Sequence, residues 1–351
     1  PQQPAAAHGG AASLDSAILA EVRKDGPGCR LTLCEASPEA AALARDAEGS
    51  RFLQARLEGA SPADVEAVFS AILPDAVALS GEVFGYAVVQ KLLDVGALEQ
   101  RRALAQRLKG EVLRLSNKMY GCRVVQKVFQ VCPPEVQLQL TSELKKGVID
   151  CIKSMHGNHV IQKCIEQMPP DSVVFIVEAI EDRAETMASH IYGCRVIQRL
   201  LEHCAPARLE AMLRRILGSV LRLAQDPYGN YVVRHILEHG KREHKLHIIE
   251  VVRGSLAELG KDKCASNVVE KCFEAATAGE HAHFLQQARQ ALMQTVLGEP
   301  EDPNAPVLQL ADDRYGKYIL QCVREHSRPE ELRQLRCRLA AAQPRQRRNG
   351  G

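Results

Sequence analysis

Tryptophan is absent from this chain of 351 residues, and aromatic residues make up only 4% of it. Such a composition argues against an all-β enzyme, because strands are usually enriched in aromatic and β-branched residues. Hydrophobic residues reach 46%, with abundant Leu and Ala, which favours helices. Length alone does not decide between two or three ordinary domains and one long repeat array.

Other features are also missing. No Cys-x-x-Cys pair occurs among the 12 cysteines, so the strong spacing signal of a zinc site is lacking, and we expect no metal or other cofactor. No apolar run approaches the ~20 residues of a membrane span, and no charged-then-apolar leader opens the sequence. We therefore expect a cytoplasmic protein with reduced thiols and no membrane contact. The net charge of +2 is small, so any basic surface must be local.

One sequence pattern recurs along the chain, most visibly in YGCRVVQ (120–126), HGNHVIQ (156–162), YGCRVIQ (192–198) and YGNYVVR (228–234). Each copy contains a glycine, or an alanine in repeat seven. We call the residue that follows it the marker of the repeat. Seven markers are spaced 36 residues apart and the eighth follows after 51: Ser50, Tyr86, Cys122, Asn158, Cys194, Asn230, Ser266 and Lys317. The spacing predicts eight structural repeats, with an insertion near residues 298–312 before the last.

Each copy predicts a helix that starts at its marker. The residue before the marker is glycine, or Ala265 in repeat seven, as expected where a loop enters a helix and backbones approach closely. Apolar residues two, three and seven places after the marker, such as Val124, Val125 and Phe129, form one helical stripe. A second helical pattern fills the rest of the unit. Since one unit cannot bury its stripe alone, we predict an all-α, crescent-shaped α-solenoid of eight repeats of ~36 residues.

The ends differ from the repeats in composition. Residues 1–38 are rich in Ala, Gly and Pro, with a weakly amphipathic piece near Leu14 to Val22 that suggests a capping helix. Residues 339–351 form a basic tail. We expect the repeat domain to cover residues 39–338 and both extremes to be mobile.

Polar residues also recur, at the marker, one place after it and four places after it. Positions i and i+4 project from the same helix face. The first and third members of each trio can therefore contact the same planar group, while the second member lies beside them. The trios are Ser50, Arg51 and Gln54; Tyr86, Ala87 and Gln90; Cys122, Arg123 and Gln126; Asn158, His159 and Gln162; Cys194, Arg195 and Gln198; Asn230, Tyr231 and Arg234; Ser266, Asn267 and Glu270; and Lys317, Tyr318 and Gln321. Their middle member is mostly planar.

Planar side chains that alternate with hydrogen-bonding pairs suit unstacked nucleobases, which need a surface to stack on and partners for their edges. The trios therefore predict a surface that binds single-stranded RNA. One alternative is that the Gln at the third position only caps a helix or bridges repeats, but its recurrence in six of eight copies argues against this. A protein-binding scaffold of the HEAT or armadillo kind is a second alternative, and it predicts no phased polar pairs. The even spread of polar residues predicts no enzyme.

Three segments resemble the repeats of the Pumilio, or PUF, family: NKMYGCRVVQKVFQ (117–130), HGNHVIQKCIE (156–166) and CASNVVEKCFE (264–274). The resemblance covers roughly residues 40–335. It implies one base read per repeat, and the spacing itself does not establish that rule. It further implies that the first and third trio members read the Watson–Crick edge and that the 3′ end of the RNA lies on repeat one.

Base identities also follow from the resemblance. Ser266 with Glu270 matches a guanine reader, because the carboxylate can accept from both guanine N–H groups. Asn158 with Gln162 matches a uracil reader. Repeats one, three and five, which carry Ser or Cys with Gln, match adenine readers.

Three repeats depart from the family pattern. Repeat six has Arg234 where a uracil reader has Gln, and a donor of this kind can hold either pyrimidine. Repeat two has Tyr86 at the edge and Ala87 at the stacking position, which removes one stacking surface, and repeat eight has Lys317 at the edge. The implied site is 5′-N-G-(U/C)-A-U-A-N-A-3′, close to the UGUA-containing element of the family.

Two further sets of residues leave alternatives open or carry no site. Basic residues lie five places after the marker in five repeats: Lys91, Lys127, Lys163, Arg199 and Lys271. They form either a basic strip beside the RNA backbone or solvated pairs with the acids three places further on. His235 and His239 have the spacing of a helical metal pair, but no acidic or thiol set recurs near them, so we expect solvated histidines.

The family resemblance implies a regulatory role. It implies action on mRNA 3′ untranslated regions by translational repression or mRNA decay, with partners such as deadenylation or repression factors on the convex face. We expect a cytoplasmic monomer. A nucleolar relative that acts in ribosome assembly is the remaining alternative, although such relatives carry degenerate trios and longer arrays.

Overall fold

A computed structural model describes residues 17–346, and within that range it contains helices and turns but no β-strand. The prediction of an all-α repeat fold is confirmed. Each repeat consists of a short first helix, a middle helix that carries the trio, and a third helix. None of the helices in this range is both long and apolar enough to cross a membrane.

The helices recur in the same order in all eight repeats. The first helices span Ala40–Arg45, Ala76–Ser80, Val112–Ser116, Val148–Lys153, Ala184–Ala188, Val220–Gln225, Leu256–Leu259 and Pro306–Ala311. The middle helices span Ala47–Leu57, Gly85–Val95, Gly121–Val131, Gly157–Gln167, Gly193–His203, Gly229–His239, Ala265–Thr277 and Gly316–Glu325. The third helices span Pro62–Ile72, Leu98–Leu108, Pro134–Leu144, Val174–Glu181, Pro206–Leu217, Arg242–Gly254, Gln286–Leu297 and Pro329–Gln346.

The chain folds into two compact units. Within the described residues, unit one comprises residues 17–147 with Met155–Met168, and unit two comprises Val148–Ser154 with residues 169–346. Inside each unit the middle helices of successive repeats pack side by side, and third helices pack against one another behind them. The predicted apolar stripe lies between these layers, since Val124, Val125 and Phe129 are each no more than 1% exposed. Neighbouring repeats bury the stripe that one repeat alone would expose.

Buried side chains of the third helices fix the carboxyl ends of the middle helices. Gln137 donates from Nε2 to the carbonyl oxygens of Phe129 and Cys132 at 2.8 and 3.0 Å. Lys245, whose pKa burial lowers, donates from Nζ to the carbonyl oxygen of Glu238 at 2.8 Å. Such donors satisfy carbonyl groups that a helix end leaves without partners. They tie the helix that carries a trio to the helix behind it.

The additional residues of repeat seven are divided between two connections. Residues 278–285 join its middle and third helices, where the same connection in repeat two spans only residues 96–97. A second stretch, residues 298–305, precedes the first helix of repeat eight. The predicted insertion at 298–312 therefore contains only part of the extra chain, and it includes the helix Pro306–Ala311.

The N-terminal segment contains a helix, Ala17–Asp25, that packs against the middle helix of repeat one. Leu19 and Val22 are buried there, and Arg23 donates from Nη2 to the Asp46 carboxylate at 2.9 Å. Residues 1–16 lie outside the described part of the chain. At the other end the last helix continues to Gln346, into the predicted tail, and residues 347–351 lie outside the described part.

Candidate nucleic-acid interface

Close backbone packing positions the start of the middle helices. A Cβ atom at Gly121 would lie 2.6 Å from the carbonyl oxygen of Leu115, and one at Gly193 would lie 2.4 Å from that of Met187. Both distances are far below van der Waals contact, so a larger residue would push the first helix of the repeat away. The small residue before the marker therefore determines how closely the middle helix packs against the first helix, and so where the trio lies.

An acceptor four places before the marker holds the same helix start in several repeats. The Asp313 carboxylate accepts from the backbone N–H groups of Tyr315 and Gly316 at 2.8 and 2.9 Å, and the Gly316 bond in particular lowers the pKa of Asp313. In repeat five the acceptor is Nδ1 of His190, which receives the N–H groups of Tyr192 and Gly193 at 3.1 and 3.2 Å. Burial lowers the pKa of His190, which keeps the ring neutral for this role.

The second members of the trios are the most accessible. Seven of the eight are exposed, and the exception, Ala87, is partly exposed. Tyr231 and Tyr318 are 51% and 62% exposed, although aromatic rings normally seek burial. Exposed rings and guanidinium groups are available as stacking surfaces.

The first members lie deeper. Six of them are at most 6% exposed: Ser50, Cys122, Asn158, Cys194, Asn230 and Ser266. Burial raises the pKa of the thiols of Cys122 and Cys194, so both are neutral at physiological pH. These small, uncharged residues therefore lie beneath the exposed second members of the trios.

The third members are partly exposed in seven repeats. Gln126 and Gln198 donate from Nε2 to the carbonyl oxygens of their own markers at 3.0 and 3.1 Å. Gln162 donates to Oδ1 of Asn158 at 2.9 Å. In these repeats the first and third members therefore lie next to each other on one helix face, as their spacing requires.

Repeat two is arranged differently. The ring of Tyr86 stacks on Tyr120, with centroids 5.1 Å apart and planes 23° from parallel. Gln90 donates from Nε2 to the backbone carbonyl of Arg123 in repeat three at 3.0 Å, and so does not pair with its own marker. The first and third trio members of this repeat, Tyr86 and Gln90, therefore already contact other protein groups. The sequence pattern identified Tyr86 as unusual but gave no sign that Tyr120 is its partner.

Repeats six and eight also depart from the common arrangement. The Arg234 guanidinium carbon lies 5.9 Å from the centroid of the Tyr231 ring, and Arg234 is partly buried. In repeat eight all three trio members are exposed, because the described chain provides no further middle helix beyond it. Gln321 there donates to the Glu325 carboxylate at 3.1 Å.

The basic residues five places after the marker are all ion-paired. Lys163 and Lys271 pair at 2.6 Å with the acid three places on, and Arg199 pairs in the same way with Glu202. Lys127 reaches the preceding repeat instead, where it lies 2.9 Å from Asp94. Lys91 makes the equivalent contact with Glu58. Of the two alternatives, the geometry favours ion pairs within the helix layer over a free basic strip, and the pairs between repeats were not expected.

His235 occupies this position in repeat six. Its side chain is 9% exposed, which corrects the expectation of a solvated residue, and its Nε2 lies 3.6 Å from Glu202. His239 is 57% exposed, as expected. Within residues 17–346 no group of three or more His, Cys, Asp or Glu residues is arranged to hold a metal ion.

The fold and site together define a helical-repeat protein that presents a polar pair in each repeat and a planar group in all repeats except repeat two. Seven of the repeats match the model of the Pumilio-family RNA binding repeat, at residues 40–73, 77–108, 111–145, 148–181, 184–217, 219–253 and 255–287. The chain belongs to the Pumilio family of RNA-binding proteins. The eighth repeat lies outside these matches but has the same three helices. The match also decides against a HEAT or armadillo scaffold.

Solved structures support the assignment. PUF-8 in complex with PBE-RNA is 30% identical, covers 90% of this chain and 90% of its own, and superimposes with a TM-score of 0.84. The Puf3 RNA binding domain bound to the Cox17 RNA 3′ UTR recognition sequence site B is 30% identical, covers 96% of each chain and has a TM-score of 0.83. The Puf4 RNA binding domain bound to the HO endonuclease RNA 3′ UTR recognition sequence is 27% identical, with 86% and 92% covered and a TM-score of 0.75. No curated protein matches the chain by sequence.

Proposed function

We propose that the eight trios read a single-stranded RNA element, one base per repeat, with the second member stacking on the base and the first and third contacting its edge. One observation carries the proposal: exposed second members recur at the same position of successive middle helices, and in repeats one, three, four and five the third member is hydrogen-bonded to a buried first member. Stacking surfaces and edge partners in alternation are what unstacked bases require.

The proposed element is 5′-N-G-(U/C)-A-U-A-N-A-3′, with its 3′ end on repeat one. Repeat seven supplies the guanine reader, and repeats one, three, four and five supply readers for adenine or uracil. The closed edge of repeat two, where Tyr86 stacks on Tyr120, supports an unspecified base at that position. The Puf3 and Puf4 domains bind 3′ UTR recognition sequences, so we propose that the natural targets of this chain lie in mRNA 3′ untranslated regions.

The proposed role is post-transcriptional regulation without catalysis. The chain would act in the cytoplasm as a monomer and would repress translation or promote mRNA decay through proteins bound away from the trios. The trios spread their polar groups evenly along each unit and do not concentrate a nucleophile and a base in one pocket, which suits recognition better than chemistry.

Selection of bound RNA from a random pool tests the proposal. We expect enrichment of the element above, most strongly at the guanine and at the adenines and uracil of repeats three to five. Failure to enrich any motif would contradict sequence-specific binding.

A charge-matched pair of variants then tests the site. Arg123→Ala removes the exposed guanidinium of the repeat-three trio, and Arg102→Ala removes one from the third helix of repeat two, where it pairs with Glu135 at 2.7 Å. Stacking is worth roughly 1–3 kcal/mol per base, so Arg123→Ala should weaken binding to the selected RNA about tenfold. Arg102→Ala should leave it unchanged. Equal losses in the two variants would show that net charge, and not the trio, determines affinity.

A further inference from the structure

Two charged residues of opposite sign occupy the third trio position in adjacent repeats. Arg234 lies on the middle helix of repeat six and Glu270 on that of repeat seven, and these helices pack side by side in unit two. The other six repeats carry Gln at this position. The sole cation and the sole anion of the series are therefore neighbours.

Glu270 lies in an acidic environment. It is partly buried, with Glu274 on its own helix and Glu325 on the middle helix of repeat eight, which packs against it. Lys271 does not neutralise it, because this lysine pairs with Glu274 and Glu238 at 2.6 and 3.6 Å. Cys322, whose pKa burial raises to about 12, is uncharged at physiological pH. Burial, together with Glu274 and Glu325, raises the pKa of Glu270, and Arg234 is the one group that opposes them.

Arg234 is well placed to exert that influence. Its guanidinium carbon lies 5.9 Å from the centroid of the Tyr231 ring, and its Nε atom is buried without a hydrogen-bond partner among the described residues. No ion pair of Arg234 with a carboxylate is found among the described residues, and its effect on Glu270 is electrostatic, without a hydrogen bond between the two side chains. Its charge is therefore not neutralised by direct pairing, and its helix packs against the helix that carries Glu270.

We propose that Arg234 is a positioning residue for the base read by repeat seven: its positive charge keeps Glu270 as the carboxylate that accepts two hydrogen bonds from guanine. The inference rests on the proposed function. A protonated carboxyl group can no longer accept at both oxygens, and guanine presents two donors there, N1–H and N2–H. Repeats six and seven thus form one reading unit for a guanine followed by a pyrimidine.

The sign of the pH effect follows from this chemistry. As the pH falls through the pKa of Glu270, the carboxylate is lost and with it the preference for guanine over adenine. Replacing Arg234 by a neutral residue removes the one favourable charge, so the pKa of Glu270 rises and the preference is lost at a higher pH. Lysine at position 234 keeps the charge and should preserve the parental profile.

The experiment compares the full chain with Arg234→Gln and Arg234→Lys. The 13C resonance of the Glu270 carboxyl, assigned with Glu270→Gln, is followed in the RNA-free protein from about pH 4 to about pH 8. Over the same range, competition binding measures the preference between two RNAs that differ only by guanine or adenine at the second base. We expect Arg234→Gln to shift both midpoints upward together, and Arg234→Lys to shift neither.

The outcomes separate this inference from the proposed function. Identical carboxyl titrations in the parent and Arg234→Gln would overturn the inference, as would a guanine preference whose pH midpoint does not move. A parental protein that binds both RNAs equally at every pH would contradict the proposed function at repeat seven. In that case the carboxyl titration would still decide whether Arg234 acts on Glu270.

Discussion

Repeats two and seven have the same three helices but present different surfaces. In repeat seven the Glu270 carboxyl is partly buried and forms no ion pair with another described residue, and the second trio member, Asn267, is exposed. In repeat two the corresponding residues are engaged by the protein: Tyr86 stacks on Tyr120 and Gln90 donates to the carbonyl of Arg123. The comparison shows that the scaffold presents a trio at the same place in both repeats, while neighbouring side chains decide whether its polar groups are available.

The largest expected effect comes from exchanging the edge residue of repeat seven. Glu270→Gln, with Ser266 and Asn267 kept, gives this repeat the polar pair of repeat one, so its preference should change from guanine to adenine. A mismatched base costs ~1–3 kcal/mol on the scale known for DNA base pairs, which is between about 5-fold and about 150-fold in affinity. Competition binding to two RNAs that differ only at the second base measures the change.

A matched control is Glu258→Gln, which removes an exposed carboxylate from the first helix of the same repeat. It should retain the parental preference for guanine. If the parent and Glu270→Gln rank the two RNAs identically, the edge pair does not read the base, and the contrast between the repeats loses its functional meaning.

Removing the stacking surface from another repeat should make it resemble repeat two. Tyr231→Ala deletes an exposed ring from repeat six, as Ala87 lacks one in repeat two. Base stacking is worth roughly 1–3 kcal/mol, so affinity for the selected RNA should fall about tenfold, measured by fluorescence anisotropy. Leu246→Ala removes an exposed side chain from the third helix of repeat six and should have no effect. Unchanged affinity in a folded Tyr231→Ala protein would mean that repeat six does not engage RNA.

The smallest effect is expected from giving repeat two the trio of repeat four. The double variant Tyr86→Asn, Ala87→His frees the edge from Tyr120 and offers Gln90 the side-chain acceptor that Gln162 finds in Asn158 at 2.9 Å. The parent should tolerate any base opposite repeat two within about twofold, whereas the double variant should favour uracil several-fold.

Binding of four RNAs that vary only at this position measures the preference. Tyr86→Phe keeps the ring on Tyr120 and should remain indifferent to the base. A parent that already discriminates strongly at this position would show that the closed edge of repeat two still reads RNA.

Much of the fold was predictable because a constant period carries the information. The small residue before each marker and the apolar stripe predicted the start and the buried face of the middle helices, and both predictions are confirmed, for example at Gly121 and Val124. The distribution of the extra residues around repeat seven was not predictable, since a gap in the period does not indicate which connection is longer. The partner of Lys127 was also missed. The sequence suggested acids three places further along the same helix, whereas Asp94 lies in the preceding repeat.

The sequence by itself determined the all-helical repeat fold, the number of trios and the residues that compose them, because these follow from local periodicity and from stripes that only neighbouring repeats can bury. Only the tertiary structure decided which trios are open. Whether Tyr86 meets Tyr120, whether His235 is buried beside Glu202, and which charged residues surround Glu270 depend on side chains from different repeats. Such contacts leave no period in the sequence, since each pairs residues brought together by packing and not by spacing along one helix.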